Sequence, residues 1–339
     1  MSTSPTAVRG AAGTSAVLLT AFAALAAVTL VSIAVGTRVL TPAETLAGLA
    51  AGDGVAGTVI WEMRFPRSLL GLFVGACLGA AGVLAQSVTR NPLADPGLLG
   101  ISAGAAVAVV AGSALLGLGA GTPRVLLALA GAAAATAVVY TFARRSPEGL
   151  TPVTMTLAGA AVTAFLGAIV SGVVLVSAST MDQYRFWVVG ALSLPDPVML
   201  PAALPFGVAG AVVALVVSGA LNALALGDDT AAALGVRVTR TRLLAGAAVV
   251  LLSGTAVSLA GPIAFVGLVI PHLARALVGA DVRRMLACAA LLGPLLLLTA
   301  DVVGRLIARP SEVQVGVVTA LVGTPFLIWL TRRAKERAL

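Results

Sequence analysis

Long apolar runs separated by short polar segments make up almost the whole sequence. A helix needs ~20 consecutive apolar residues to cross the hydrocarbon core of a membrane. Runs of about that length can be placed ten times, with short connections between them. The predicted spans cover residues 16–36, 68–88, 97–117, 123–143, 152–177, 198–223, 243–260, 262–278, 284–303 and 314–331. The pattern predicts an all-α polytopic membrane protein with ten transmembrane helices.

The composition supports this interpretation and excludes a soluble globule. Of the 339 residues, 59% are hydrophobic and only 10% are charged, whereas a soluble domain carries about 25% charged residues. The 38 glycines and the low aromatic content of 4% favour closely packed helices. In the second span, Gly71, Gly75, Gly79 and Gly82 recur at helical spacing, which we interpret as a packing stripe.

The basic residues predict the orientation of the chain. The net charge is +8, but the arginines stand singly or in small groups between apolar runs, as topology determinants do, so no nucleic-acid partner is expected. Ten spans place 14 Lys and Arg residues on the side that holds both termini and 7 on the other. The positive-inside rule therefore places both termini in the cytoplasm. The predicted domains are a cytoplasmic tail (1–15), a permease domain (16–331) and a second cytoplasmic tail (332–339).

The polar segment 226–242 interrupts the apolar pattern on the predicted cytoplasmic side. Asp228 or Asp229 is expected to cap a helix by accepting a backbone N–H bond. The small residues 230–234 then allow little more than one helical turn, and Gly235 is expected to end it in the left-handed conformation. Two interpretations stay open at this point: a short helix displayed to a soluble partner, or an ordinary solvated loop.

Two other polar segments contain prolines that predict breaks. Pro66 fixes its own φ and predicts a defined turn over 61–67, before the second span. Asn91-Pro92 and Asp95-Pro96 predict that the second span stops there, because a residue before proline is disfavoured in the α region. Irregular backbone so close to the membrane must be buried in protein or line a wet cavity.

Several kinds of chemistry are absent from the sequence. Lys335 is the sole lysine, so a phosphate-binding loop of the G-x-x-x-x-G-K-[ST] type is impossible, and the chain is not expected to be an enzyme or to hydrolyse ATP itself. Cys77 and Cys288 lie in apolar runs, and no metal-ligand spacing occurs. His272 is expected to be a satisfied helix-end residue. An ion-coupled carrier usually keeps a carboxylate inside the membrane, and Asp301 near the end of the ninth span has Arg305 at i+4 as a ready partner.

The ordered motifs of the chain closely resemble the permeases of the FecCD/BtuC type, the membrane subunits of ABC importers for ferric siderophores, haem and vitamin B12. The resemblance covers residues 61–330. The matching motifs are Arg64-Phe-Pro-Arg67; Gln86 with Arg90-Asn-Pro-Leu-Ala94 and Pro96-x-x-Leu-Gly100; Gly227-Asp-Asp-x-Ala-x-x-Leu-Gly235; Ala260-Gly-Pro-Ile-Ala-Phe-Val-Gly-Leu-Val-Ile-Pro-His-Leu-Ala-Arg275; Asp281-x-Arg-Arg284; Ala300-Asp-x-x-x-Arg305; and Glu312-x-x-x-Gly-Val-Val-Thr-Ala320 with Gly323-Thr-Pro-Phe326.

The resemblance implies a multi-pass permease of the bacterial cytoplasmic (inner) membrane with the type II ABC importer fold. It implies four kinds of partner: a second permease subunit in a homodimer or heterodimer, two ATPase subunits that bind ATP and Mg, an extracytoplasmic binding protein, and an iron-siderophore substrate, with haem or cobalamin as alternatives. No cofactor is implied in this chain itself. An ion-coupled secondary transporter is the alternative of a different class.

The resemblance also implies roles for particular residues. Arg64, Arg67 and Arg305 are expected to dock the binding protein. ATPase coupling is expected to involve Gly227, Asp228, Asp229, Ala231, Leu234 and Gly235. The translocation path is expected along the fifth and tenth spans, at Thr154, Thr156, Thr163, Gly316, Thr319 and Gly323. Structural roles are expected for Arg90, Asn91, Pro92, Pro96, Gly261, Pro262, Pro271 and His272.

Overall fold

Helices account for all regular secondary structure in the described part of the computed structural model, which comprises residues 11–336 without 53, 119–120, 150, 177 and 194–197. The α-helices are Ala11–Ala34 (α1), Pro42–Ala51 (α2), Gly54–Thr58 (α3), Phe65–Thr89 (α4), Ile101–Leu116 (α5), Thr122–Arg145 (α6), Pro152–Val176 (α7), Ala178–Val188 (α8), Met199–Leu224 (α9), Asp228–Ala233 (α10), Val238–Ala260 (α11), Val266–Val278 (α12), Val282–Ile307 (α13) and Val315–Glu336 (α14). A π-helix covers Val59–Arg64 and a 3₁₀ helix covers Pro96–Leu99.

The helices confirm the predicted pattern of apolar segments. Among the described residues, seven helices are long and apolar enough to cross a membrane: Gly13–Ala34, Gly54–Thr89, Thr122–Arg145, Val153–Val176, Met199–Leu224, Val238–Ala260 and Val282–Ile307. Three shorter apolar helices are Ile101–Leu116, Val266–Val278 and Val315–Ile328. Each predicted span overlaps one of these segments. The number of crossings and the cytoplasmic termini stay predictions, and most of the amino-terminal tail and residues 337–339 lie outside the described residues.

The segment before α4 corrects one prediction, because residues 61–67 are helical rather than a turn. The π-helix runs directly into α4, with the Phe65 N–H bonded to the Ile60 carbonyl five residues back. Pro66 directly follows the π turn and has no N–H to donate, yet the segment stays helical through it. The wider π turn joins α3 to α4 in one continuous helical segment, Gly54–Thr89. The helix therefore continues through Pro66.

Helix α4 lies at the centre of the bundle and packs against α9, α11, α12 and α13. The glycine stripe makes this packing possible. A Cβ at Gly75 would lie 2.5 Å from Pro294 of α13, one at Gly79 would lie 2.7 Å from the Ala289 carbonyl, and one at Gly82 would lie 2.1 Å from the Gly267 carbonyl of α12. Backbones this close admit no side chain between them. The predicted packing role of the stripe is confirmed.

Candidate functional sites at the two ends of the central helix

Helix α10 lies at the carboxy-terminal end of α4 and is held there by its first acidic residue. The Asp228 carboxylate pairs with the Arg90 guanidinium, which follows α4, and with that of Arg242 on α11 at 2.9 Å. The predicted cap is wrong, because the N-cap position belongs to Gly227 and no side chain caps the helix. Both carboxylate oxygens of Asp228 are directed to arginines instead.

The end of α10 follows the prediction from Gly235. This glycine has φ of 82°, and its N–H donates to the Ala232 carbonyl at 2.9 Å, while the Val236 N–H donates to the Ala231 carbonyl at 2.9 Å. This pair of bonds defines a Schellman motif. The chain therefore turns sharply after one and a half turns of helix and enters α11.

The two faces of α10 differ in their surroundings. Ala231 is fully buried against the bundle, and Asp228 is turned towards Arg90 and Arg242. The other face, with Asp229, is exposed to solvent. Leu226 and Leu234, at the two ends of the helix, are 66% and 64% exposed. We call the exposed residues 226, 229, 230 and 232–235 the outer face of α10.

The segment after α4 is built from local hydrogen bonds. Arg90 has φ of 50°, a left-handed conformation that is uncommon for residues other than glycine. The Asn91 side chain accepts the Leu93 N–H at 2.9 Å, and the Asp95 side chain accepts the Gly97 N–H at 2.8 Å, just before Pro96 opens the 3₁₀ helix. The structural roles expected for Asn91 and Pro96 agree with this geometry.

An ion-pair cluster stands at the amino-terminal end of α4. Arg67 binds Asp301 of α13 through Nη2 at 2.6 Å and Glu312 through Nη1 at 2.8 Å. Arg305 binds the second oxygen of Asp301 at 2.9 Å, which confirms the i+4 pair expected from the sequence. Asp301 is fully buried, whereas the Glu312 side chain is 29% exposed. A buried carboxylate is tolerated here because two arginines neutralise it.

Arg64 and Arg305 are almost fully buried, and their guanidiniums are bonded to the end of α1. They are 4% and 3% exposed, and their guanidiniums donate to carbonyls at the end of α1: Arg64 to Ala34 at 2.6 Å, and Arg305 to Val35 at 3.0 Å. Basic groups favour a helix C-terminus because the last carbonyls lack intrahelical partners. The two guanidiniums therefore cap α1, and the docking role expected for Arg64 and Arg305 stays a prediction.

A cleft of about 700 Å³ opens beside this cluster. Its polar lining includes Arg38, Glu62, Arg67, Ser311 and Glu312. All three members of the predicted docking set, Arg64, Arg67 and Arg305, line this cleft. Arg67 has the most exposed side chain of the three, at 16%, and is bound to two carboxylates. Sequence spacing could not reveal this site, since Arg67 and Glu312 are 245 positions apart.

The predicted path residues divide into two groups. Thr156 and Thr163 are exposed on α7. Thr154 is buried and caps the start of α7, accepting the Thr151 N–H at 2.9 Å and donating to the Gly149 carbonyl at 2.7 Å. In this conformation Thr154 has a structural role at the start of α7, and its path role stays a prediction.

The tenth predicted span also turns its small residues inward. A Cβ at Gly316 would lie 2.0 Å from the Val189 carbonyl, and one at Gly323 would lie 2.2 Å from the Phe265 ring. Thr319 is 2% exposed and donates to the Gly316 carbonyl at 3.0 Å. These residues lie on the packed face of α14, and Gly316 also lines a cavity of about 320 Å³. The path role expected for them stays a prediction.

Three chain segments meet at the Gly261-Pro262 turn: the turn itself, the segment 187–190 at the end of α8, and the start of α14 at Gly316. Gly261 has φ of 71°, and a Cβ on it would lie 2.1 Å from the Trp187 carbonyl. The Gly316 N–H donates to the Gly190 carbonyl at 3.1 Å. The cavity of about 320 Å³ lies beside this turn, and Asp95 and Ser253 are among its lining residues. Sequence reasoning treated Asp95 only as part of a helix stop and missed its place in this cavity.

His272 and the cysteines show no catalytic arrangement. The His272 ring contacts the Leu268 carbonyl at 3.3 Å and the edge of Phe326, which agrees with a satisfied histidine, although it lies within α12 just after Pro271. Cys77 and Cys288 are buried and free. No group of three potential metal-binding side chains occurs in the described ranges.

A bundle of apolar helices with polar sites at both ends of its central helix defines a multi-pass membrane permease. The chain belongs to the FecCD transport family, whose model matches residues 24–333. It is 48% identical over 277 residues, 81% of this chain and 82% of the relative, to the ferric enterobactin transport system permease protein FepD of Escherichia coli (strain K12).

Two other curated relatives carry different substrates in their names. The chain is 41% identical to the Fe(3+)-citrate import system permease protein YfmD of Bacillus subtilis (strain 168), with 90% of this chain and 91% of the relative covered. It is 40% identical to the cobalamin import system permease protein BtuC of Halobacterium salinarum (strain ATCC 700922 / JCM 11081 / NRC-1), with 84% and 76% covered.

A solved structure shares the fold. It is described as an inward-facing conformation of a metal-chelate type ABC transporter, with a TM-score of 0.81 and 27% sequence identity. The match covers 94% of this chain and 99% of the other.

Proposed function

We propose that this chain is the permease subunit of an ABC importer that takes up an iron-siderophore chelate by alternating access. Separate ATPase subunits bind ATP and Mg and supply the energy, and this chain carries no cofactor of its own. The observation that carries the proposal is the short, exposed helix α10, anchored by Asp228 to α4 and α11, in a chain of the FecCD transport family.

The outer face of α10 is the proposed docking surface for an ATPase subunit. Leu226 and Leu234 expose most of their side chains, and exposed apolar residues rimmed by polar ones are typical of protein interaction sites. The charge count of the sequence places this face in the cytoplasm, where ATP is available. Gly227 and Gly235 give the sharp turns that display the helix, both with positive φ.

The opposite end of the molecule is the proposed docking site for an extracytoplasmic binding protein. The cleft beside Arg67 has Arg38 and Glu62 on its rim. We propose that the wall of this cleft formed by Arg64, Arg67 and Arg305 meets an acidic group of the binding protein, because all three arginines line the cleft. Arg64 and Arg305 also fix the end of α1.

A second permease subunit, identical or different, is proposed to cover the exposed faces of α7 and α14. Exposed apolar side chains there include Leu157, Phe165, Leu321 and Val322. Thr156 and Thr163 on the same helix α7 are the proposed contacts with a polar substrate. Small hydroxyl groups suit a wide passage that binds its cargo weakly.

Iron-siderophore chelates are the proposed substrates, with haem or cobalamin as alternatives. The similarity to permeases named for ferric enterobactin and Fe(3+)-citrate supports the first choice, and the similarity to a cobalamin permease supports an alternative. A bacterial cytoplasmic membrane is the proposed location, since the named relatives with iron substrates are bacterial.

Co-purification with an ATPase subunit tests this function. The chain, expressed with the ATPase and binding protein of the same organism, should retain the ATPase subunit in detergent. Leu234→Arg should reduce that retention at least tenfold, because an arginine would replace an exposed apolar contact. Val39→Arg is the matched control, since Val39 is equally exposed but lies on the predicted outer side. Absence of any ATPase from the wild-type preparation would contradict the proposal.

A further inference from the structure

We propose that Asp228 is a positioning residue that links α10 to the central helix α4 through Arg90. The inference rests on the proposed function, because it assigns how movement of α10 reaches the rest of the permease. The ion pairs of Asp228 carry it, together with the backbone conformation of Arg90.

The two oxygens of Asp228 are both paired within the chain, at a surface position where the Asp228 and Arg90 side chains are 41% and 40% exposed. Oδ1 accepts bonds from Arg90 Nη2 and from Arg242 Nη2, the latter at 3.0 Å, and Oδ2 lies 2.9 Å from the same Arg242 group. These arginines come from different helices, so one carboxylate joins α10 to both the end of α4 and the start of α11. The neighbouring acid, Asp229, is exposed and forms no ion pair in the described structure.

Arg90 holds a backbone position that favours glycine. Its φ of 50° and ψ of 27° place it in the left-handed region at the C-cap of α4. Helices commonly end in this conformation with a glycine, which has no Cβ penalty. An arginine in this left-handed conformation is less stable than a glycine would be. Its side chain forms an ion pair with Asp228. The presence of arginine at this position is therefore better explained by the ion pair with Asp228 than by the backbone turn.

Helix α4 can carry a displacement across the molecule. Its 25 residues span ~38 Å at ~1.5 Å rise per residue. Its glycines bring it into backbone contact with α12 and α13, so it moves as part of a close-packed unit. At its other end Arg67 binds Glu312 beside the cleft. A displacement of α10 would therefore move α4 through the Asp228–Arg90 ion pair. It would then change the surface that is proposed to meet the binding protein.

A reporter thiol in the cleft makes the link measurable without knowing the substrate. Ser311 is exposed and lines the cleft, and both native cysteines are buried. In Ser311→Cys permease–ATPase complexes, we measure maleimide labelling rates with and without ATP and vanadate. The maleimide labelling rate of the parent Ser311→Cys complex should change severalfold when ATP and vanadate trap the ATPase subunits. Asp228→Asn and Arg90→Gln should each abolish the change while the ATPase subunit still co-purifies.

Two further variants separate the link from misfolding. Arg90→Gly suits the left-handed backbone better than arginine, so it should keep or raise the melting temperature of the complex and still abolish the labelling change. The exchange Arg90→Asp with Asp228→Arg, made together with Arg242→Gln so that the new arginine meets no like charge, should restore part of the change by reversing the pair. Asp182→Asn, which breaks the exposed Asp182–Arg185 ion pair on α8, is the matched control, and it should leave the labelling response to trapping intact.

The outcomes distinguish the link from the proposed function itself. Loss of ATPase retention in Asp228→Asn, but not in Arg90→Gly, would overturn the proposal by making Asp228 a direct contact. A full labelling response in Arg90→Gly, or no response in a parent complex that retains its ATPase, would overturn the link as well. If no ATPase subunit binds the parent chain, the proposed function fails first.

Discussion

Burial decides what each charged side chain of this permease can do. Arg64, Arg67 and Arg305 belong to motifs that suggest one shared role, and all three line the cleft, but Arg64 and Arg305 are almost fully buried. The guanidiniums of these two are bound to the terminal carbonyls of α1. Sequence spacing identified the three arginines but could not show their partners, because those partners come from segments up to 273 positions away.

Asp301 and Glu312 provide a matched test of burial at the residue scale. Asp301 is fully buried between Arg67 and Arg305, and Asp301→Asn leaves both arginines without their main counter-charge. Breaking a buried pair costs about 3–5 kcal/mol, so the melting temperature of the purified protein should fall markedly. Glu312→Gln, at a side chain 29% exposed, should cost at most ~1 kcal/mol. Equal thermal shifts in the two variants would contradict this assignment.

At the element scale, α4 is defined by the glycines that let other backbones approach it. The stripe could be predicted from the sequence because its spacing is local and helical. The pairing with Gly267 of α12 and Gly293 of α13 could not, since it depends on which helices meet. The same limit applies to α10: the sequence predicted a short helix ended by Gly235, but assigned Asp228 to a cap that it does not form.

Gly82→Ala tests the packing of α4 directly. The added Cβ would lie 2.1 Å from the Gly267 carbonyl, and overpacking of this kind costs ~1–3 kcal/mol or more. Gly219→Ala on α9 is the control, because a Cβ there meets no neighbouring atom within 4 Å. Thermal denaturation in detergent should show a loss of stability for the first variant alone. A neutral Gly82→Ala would mean that α4 is packed less closely than described.

At the scale of the whole molecule, the apolar pattern predicted the helical segments well, while the π-helix before α4 was missed. The presence of Pro66 suggested a turn there. The helix continues because the Phe65 N–H bonds to the Ile60 carbonyl five residues back, and the sequence pattern does not predict this bond. The sidedness of the bundle is still a prediction from its charges. It assigns Thr239, at the start of α11, to the cytoplasm and Ser311 to the opposite side.

Thiol accessibility in intact cells tests this orientation. A membrane-impermeant maleimide should label Ser311→Cys in intact cells, whereas Thr239→Cys should be labelled only after the membrane is opened. Both positions are exposed, and the buried native cysteines give little background. The reversed pattern would place α10 outside the cell, away from ATP.

Reconstituted transport tests the central claim most directly. Vesicles that hold the permease and its ATPase subunits are given the binding protein loaded with ⁵⁵Fe-labelled ferric enterobactin or Fe(3+)-citrate, and the retained label is counted. The account predicts uptake of at least one chelate that requires ATP inside the compartment where α10 lies, and that persists when ion gradients are collapsed. Uptake that continues without the ATPase subunits and stops when the gradients are collapsed would identify an ion-coupled carrier and contradict the account.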